Sequence, residues 1–279
     1  MKLIFLIGYP VGHSMSAVMQ NAAFSHLHLP YNYQLRPVTS EELHDFVGGE
    51  LRSVNIRGAN VTIPHKITVM PLLDEFDASA KAIGAVNTIV NDEGRLKGYN
   101  TDGIAAFRAI TEAYGSIDEA NIVMLGAGGA ARSVGYQLSR SARQLTIINR
   151  NTEKAEKLVS RLHQGTSTKV SNAKMSQLGQ IIESADILIN ATSIGMVPHI
   201  NESPVEQSML HPNLLVFDLV YNPERTRLIR DAELAGSRSL SGVKMLVYQG
   251  SEAFKLWTGI EPPEALMMTA IKARLEAQS

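Results

Sequence analysis

One segment constrains this chain more than any other: Asn121-Ile122-Val123-Met124-Leu125-Gly126-Ala127-Gly128-Gly129-Ala130-Ala131. An apolar run of buried-strand length passes into a glycine-rich turn, and a helix-compatible segment follows. The spacing is G-x-G-x-x-A. In such a unit the first glycine makes a tight turn and the second lets the backbone approach a pyrophosphate. The small third residue lets the helix pack on the strand, and the amides heading the helix face the phosphates. A glycine-rich strand-to-helix turn without ligand and an S-adenosylmethionine site share part of this pattern.

The flanking sequence supplies the α/β setting that this unit needs. Residues 122–125, 145–148, 187–189 and 214–217 read as buried strands, with helices over 129–139, 152–162 and 223–235. Upstream, residues 3–7, 32–37 and 56–61 read as strands, and 15–27 as a helix with Ser14 as N-cap. Pro64 opens a helix to residue 73, residues 86–91 and 95–99 form a hairpin, and Asp102 opens a helix to 114. Residues 242–257 and 262–276 are helical. Strands alternating with helices imply parallel sheets covered on both faces. The turn at 114–119 is the best boundary by composition.

Composition narrows the function classes. At 279 residues the chain has room for roughly two domains, and 44% hydrophobic residues suffice for a core in each. Lys and Arg number 26 against 27 Asp and Glu, so the net charge of −1 offers no footprint for nucleic acid or an anionic membrane. The absence of cysteine excludes disulfides, thiolate chemistry, zinc–thiolate sites and iron–sulfur clusters. The eight histidines show no metal-ligand spacing, so no metal is expected. No nucleophile elbow and no Walker-type phosphate loop occurs. The apolar start ends at Gly8-Tyr9-Pro10 without a small-residue cleavage site. The uncharged stretch 3–35 is broken by Pro, His, Ser, Asn and Gln. A cytoplasmic location is expected.

The strand after the glycine-rich unit bears on the nucleotide. An NAD site takes a carboxylate about 20 residues on, for the ribose hydroxyls. That place holds Asn149, then Arg150 and Lys154. Nothing there repels a 2′-phosphate and two cations could hold one, so NADP(H) is expected.

A second polar set lies in the first half. In Asn60-Val61-Thr62-Ile63-Pro64-His65-Lys66, a helix from Pro64 would place Lys66 in its first turn. The helix dipole would then disfavour its charge and suit it to proton transfer near neutrality. Asp102 could cap its own helix or, paired with Lys66, orient the amine. Ser14, Ser16, Asn60, Thr62, Asn87 and Gln249 are short neutral hydrogen-bonding groups at element ends, suited to a polyhydroxylated substrate. Singly, each reads as a cap or turn residue.

Together these segments resemble the shikimate dehydrogenase family. The resemblance rests on Gly8-Tyr9-Pro10 with His13-Ser14-Met15-Ser16, on Asn60 to Lys66 and on Gly84-Ala85-Val86-Asn87-Thr88. It continues through Gly98-Tyr99-Asn100-Thr101-Asp102-Gly103, Gly126 to Arg132, Asn149-Arg150, the 190–196 and 218–223 segments, and Gln249-Gly250. It spans residues 8–259, and several motifs in one order are far more specific than a single glycine pattern. It implies NADPH-dependent reduction of 3-dehydroshikimate to shikimate in aromatic amino-acid and chorismate biosynthesis. Lys66 and Asp102 would be the catalytic pair, Lys66 as proton donor or as electrostatic stabiliser. Ser14 and Ser16 would hold the substrate carboxylate. Thr62, Asn87, Asp102 and Gln249 would hold the ring hydroxyls, with Tyr221 nearby. Gly126, Ala127, Gly128, Gly129, Ala130, Asn149, Arg150 and Lys154 would hold NADP, with Leu219 and Gly242 at the nicotinamide end.

The implied fold is α/β with two domains. A substrate domain with a mixed sheet would take residues 1–101 and 241–279, and a Rossmann-like doubly wound NADP-binding domain residues 102–240. A cleft would bind both ligands. Four positions depart from the family pattern: Ala17 for Pro, Gln20 for His, Asn151 for Thr and Lys244 for Gly. Thr62 matches the shikimate-preferring branch. The alternatives are an NAD-using quinate/shikimate dehydrogenase and a non-catalytic dinucleotide-binding regulator on the same fold. Expected partners are the small-molecule substrate alone, with no nucleic acid or membrane, in a monomer or homodimer.

Overall fold

The computed structural model describes residues 1–163 and 166–277. The chain divides into two units, one of Met1–Asp102 with Val247–Ser279 and one of Gly103–Leu246.

The first unit opens with β1 (Lys2–Gly8), α1 (Ser16–His26), β2 (Tyr31–Pro37), α2 (Leu43–Gly48) and β3 (Ile56–Val61). It continues with β4 (Glu75–Phe76), α3 (Ala78–Ile83), β5 (Thr88–Asp92) and β6 (Arg95–Tyr99). The sheet order is β2-β1-β3-β5-β6-β4. β1 runs parallel to β2 and β3, because helical crossovers join them, whereas β5 is antiparallel to both β3 and β6. Glu93 and Gly94, both at positive φ, form the two-residue turn that makes β5 and β6 a hairpin. Phe5, Ile7, Leu51, Val61, Ile89 and Leu96 belong to one buried core.

Two expectations fail here. Residues 64–73 do not form an α-helix: turns lead to a single 3-10 turn at Met70–Leu72. Pro71 has no amide proton and its ring would strike the carbonyl four residues back, and Ile67-Thr68-Val69 is a β-branched run. The helix-dipole argument for Lys66 falls with that helix. At α1, Met15 occupies the N-cap position rather than Ser14, and the Ser14 hydroxyl instead accepts from the Ser16 amide at 3.2 Å.

The second unit contains α4 (Asp102–Tyr114, from Gly103 on), β7 (Asn121–Leu125), α5 (Gly129–Leu138), β8 (Gln144–Ile148), α6 (Thr152–Leu162) and β9 (Lys169–Ala173). It goes on through α7 (Leu178–Ile182), β10 (Ile187–Asn190), β11 (Leu215–Asp218), α8 (Arg227–Leu234) and β12 (Arg238–Leu240). α9 (Val243–Thr258) follows, grouping with the first unit from Val247 onward, and then α10 (Glu264–Glu276). The sheet is wholly parallel in the order β12-β11-β10-β7-β8-β9. The strand order reverses between β7 and β10, and open sheets of this kind bind ligands outside the carboxyl ends of the strands at that switch. Val123, Leu125, Ile148, Leu188 and Val216 fill its core.

The unit boundary falls at the head of α4, not at 114–119. A Cβ on Gly103 would lie 2.5 Å from the Ser133 carbonyl oxygen, so this helix is seated closely on α5. α8 begins at Arg227 rather than at residue 223, because Thr226 caps it by accepting from the Ile229 amide at 3.2 Å.

Candidate active site

Because β5 is antiparallel to both neighbours, the end of β3, the start of β5 and the end of β6 lie side by side. The register pairs Asn60 with Thr88 and Thr88 with Tyr99. The segments that leave this edge carry Thr62 to Lys66, Asn87, and Asn100 to Asp102. There the Lys66 ammonium donates to Asp102 Oδ2 at 2.5 Å. Both groups are largely removed from water, with 16% and 5% of their side-chain surface exposed. The Val86 amide donates to the Lys66 carbonyl at 2.7 Å and fixes its backbone. Fully buried His65 donates from Nε2 to the Val38 carbonyl at 2.7 Å and anchors the same turn.

Asn87 organises the surroundings. Its Nδ2 donates to Asp102 Oδ1 at 2.9 Å and to the Thr101 hydroxyl at 2.8 Å, while its Oδ1 accepts from the Thr101 amide at 2.8 Å. Thr101 then donates to the Gln249 carbonyl on α9 at 2.9 Å, and Gln249 Oε1 lies 3.4 Å from Asn87 Nδ2. Asp102 therefore meets a cation on one oxygen and an amide donor on the other. Such a carboxylate can hold the lysine in one orientation. Thr62 and Ser14 are half-exposed, and the Ser14 hydroxyl lies 3.2 Å from that of buried Ser16 at the head of α1.

Asn60 has a different place from the one expected as a substrate contact. It is 4% exposed, its Oδ1 accepts from the Tyr33 hydroxyl, and its Nδ2 donates to the Asn87 carbonyl and the Thr88 hydroxyl. Its hydrogen-bonding capacity is spent inside the protein, so it holds Asn87 rather than facing a ligand. Asn60→Ala strands these buried partners and should destabilise the protein by about 2 kcal/mol. A urea denaturation midpoint equal to wild type would remove it from that role. Thr101 and His65 were not singled out in the sequence. Their only signal was membership of the N-T-D and P-H-K runs. Gln20, where the family pattern has His, donates from a fully buried position to the Gly250 carbonyl at 2.8 Å, beside Gln249.

The second unit holds the other half of the expected site. Gly126, at the end of β7, has φ +113°, and a Cβ there would lie 2.7 Å from the Ala191 carbonyl oxygen, so only glycine fits the turn. Exposed Gly128 has open space before it and no side chain to cap α5, which leaves the amides of Gly129 and Ala130 directed outward from the helix head. Ala127 is half-exposed in the same loop. This is the cradle a pyrophosphate requires. Beyond β8, Arg150 and Lys154 are exposed cations at the head of α6, and Asn149 donates to the Asn151 carbonyl at 2.8 Å. Asn151, which stands where the family pattern has Thr, serves as the helix cap by accepting from the Lys154 amide at 3.1 Å. These donors fit a phosphorylated dinucleotide.

Leu219 and Tyr221 follow β11. A Cβ on Gly242 would lie 2.3 Å from the Leu219 carbonyl oxygen, so this glycine lets the two backbones touch. Lys244, another of the departures, pairs with Glu112 of α4 at 3.2 Å. This exposed pair adds little stability. Among the described residues there is no cluster of three potential metal ligands and no helix long and apolar enough to cross a membrane.

Comparisons with known proteins agree on one family. The profile of the shikimate dehydrogenase substrate binding domain matches residues 6–89, that of shikimate / quinate 5-dehydrogenase matches 108–226, and that of the shikimate 5′-dehydrogenase C-terminal domain matches 242–272. A curated NADP(+) shikimate dehydrogenase from Methanocaldococcus jannaschii is 44% identical over 97% of this chain and 96% of its own. A crystal structure of a shikimate dehydrogenase in complex with NADP+ superposes with a TM-score of 0.91 at 43% identity, covering 98% of this chain and 96% of that one. The Thermus thermophilus enzyme, solved with NADP(H) and shikimate, gives 0.87 at 32% identity over 98% and 99% of the two chains.

Proposed function

The chain belongs to the shikimate dehydrogenase family and is an NADP-dependent oxidoreductase, and from that premise we propose how its own residues interconvert 3-dehydroshikimate and shikimate. The observation that carries the proposal is the buried Lys66–Asp102 contact at 2.5 Å, braced by Asn87.

In the reductive direction the substrate C3 carbonyl becomes a secondary alcohol. NADPH, when bound, supplies the hydride for C3. The C3 oxygen must gain a proton as negative charge develops on it, and the Lys66 ammonium is the donor; in the oxidative direction the amine takes the hydroxyl proton back. Asp102 stays ionised throughout and keeps the lysine from rotating away. Ser14 and Ser16 take the substrate carboxylate through hydroxyl donors. Thr62, Asn87, Asp102, Gln249 and Tyr221 take the ring hydroxyls. Asn60 acts one step back, through Asn87.

For the cofactor, the amides heading α5 take the pyrophosphate and Asn149, Arg150 and Lys154 take the 2′-phosphoryladenosine end. Leu219 and Gly242 line the nicotinamide end. Every substrate residue but Tyr221 falls in the first unit and the cofactor residues fall in the second, so the expected substrate domain (residues 1–101 with 241–279) and NADP domain (residues 102–240) are assigned to these two units, whose bounds differ from them by one residue at the first boundary and six at the second. The same reading places the protein in the cytoplasm, as a monomer or homodimer, with no nucleic-acid or membrane partner. Lys66 and Asp102 are both present and paired, which disfavours a non-catalytic regulator. The purified protein should consume NADPH when 3-dehydroshikimate is added. Binding of 3-dehydroshikimate without NADPH consumption would contradict the proposal.

A further inference from the structure

One buried ionisable group has no place in the chemistry above. Asp218 ends β11, is fully buried, and has no counter-ion among the described residues. The groups that touch it are all neutral. From β10, Asn190 Nδ2 donates to Oδ1 at 2.9 Å; from its own loop, the Val220 amide donates to Oδ1 at 3.0 Å; from the head of α8, the Thr226 hydroxyl donates to Oδ2 at 2.6 Å. Gly195, in the loop after β10, approaches as well, with its would-be Cβ 3.9 Å from Oδ2. Asn190 in turn accepts from the amide and hydroxyl of Thr192 and donates to the Ile194 carbonyl. One carboxylate thus ties together the loops after β10 and β11 and the start of α8.

The three donors want an acceptor on both oxygens, which a carboxylate offers and an amide offers on only one. Taking that carboxylate out of water with only neutral donors still leaves a net charge that the scaffold does not balance. Burial outweighs the Thr226, Val220 and Asn190 donors, which act to lower it, and leaves the Asp218 pKa raised to about 6. Near neutral pH the group is therefore mostly an anion.

Its position in the sheet suggests what the anion is for. Doubly wound sheets bind a dinucleotide across the switch point, one mononucleotide to each side. Arg150 and Lys154 follow β8 and place the adenosine half on that side, and the α5 head takes the pyrophosphate. The nicotinamide half is then left to the β10–β11 side, where Asp218 sits at the carboxyl end of its strand. The nicotinamide ring is cationic in the oxidised cofactor and neutral in the reduced one. We propose that the Asp218 carboxylate sets the relative affinity of the site for the two redox forms, favouring NADP+ over NADPH. The inference rests on the NADP site proposed above and adds to it a residue that contacts neither substrate nor reacting atoms.

The test is the ratio of dissociation constants for NADP+ and NADPH, measured by calorimetric titration without substrate. Asp218→Asn keeps the shape and the two bonds at Oδ1, removes the charge, and gives up the bond that Oδ2 accepts from Thr226. It should weaken NADP+ relative to NADPH by about fivefold at pH 7.5. In wild type the same ratio should move toward NADPH as pH falls from 8 to 5.5, through the range where Asp218 gains its proton, and Asp218→Asn should show no such movement. Titration of the 2′-phosphate is common to both forms and cancels in the ratio. The pH arm keeps the proposal open to refutation even where the variant folds poorly. Equal losses of both forms in the variant, or a wild-type ratio flat with pH, overturns the proposal and leaves Asp218 a scaffold residue. Wild type that binds neither form overturns the cofactor site itself.

The stability of the protein without ligand gives a second readout. The folded-state pKa is raised from 3.8 to about 6, so the folded state holds this proton more tightly than the unfolded chain does. The contribution of the site to stability accordingly declines as pH rises through that window. Asp218→Asn should lower the melting temperature above pH 6 by no more than the few degrees that one lost hydrogen bond explains, and a fall well beyond that would mark the charge as structural.

Discussion

In Lys66→Ala, turnover should fall by about a thousandfold while the affinity for NADP+ stays within about twofold of wild type, because a positioned proton donor contributes on the order of 10²–10⁴ to rate. The lysine lies in the first unit, on the turn after β3, and the proposed cofactor contacts lie in the second. Removing it also strips Asp102, with 5% of its side chain exposed, of its only cationic partner among the described residues. Lys66→Arg separates the two roles that the resemblance leaves open. Arginine keeps the charge but does not give up a proton in proteins. Substantial retained turnover would mean that charge suffices, and a loss as deep as in the alanine variant would mean that proton transfer is the function. An effect confined to KM would remove Lys66 from the chemical step.

The second large effect concerns cofactor choice. Arg150→Ala should raise KM for NADP+ by about 10- to 100-fold, the loss of a charge-assisted arginine–phosphate contact, and change KM for NAD+ by less than about twofold. Arg150 is exposed at the head of α6, where a cation opposes the helix dipole and gains nothing from the helix itself. A 2′-phosphate, as proposed, would supply the missing reason for it. Asn151 is engaged as the cap of α6, so in the proposed site Arg150 and Lys154 would carry most of that recognition. Equal losses with both cofactors would show that Arg150 supports the loop and does not read the phosphate.

The parts of the fold legible in the sequence share a physical cause. β1, β7, β10 and β11 are central strands buried on both faces, and each carries an unbroken apolar run of three to five residues. β4, β9 and β12, by contrast, are short or edge strands with exposed residues, and α2, α3 and α7 span only five or six residues. None of these leaves a periodic trace. Pro64 was read by its preference for the first helical turn, but Pro71 lay inside the projected helix and prevails. The same limit governs the site. Lys66, Asp102 and Asn87 were identified by motif, and the antiparallel seating of β5 brings them together. That Asn60 faces inward to Tyr33 and Thr88 depends on pairing across the sheet, which no linear pattern displays.

The most direct test of the account is the absorbance change at the nicotinamide band with purified protein, in four mixtures crossing shikimate or quinate with NADP+ or NAD+. Rapid turnover with shikimate and NADP+, and at most slow turnover in the other three, is the predicted result. Comparable rates with quinate or with NAD+ would contradict the assigned specificity, and a folded protein silent in all four would contradict the catalytic assignment of Lys66 and Asp102.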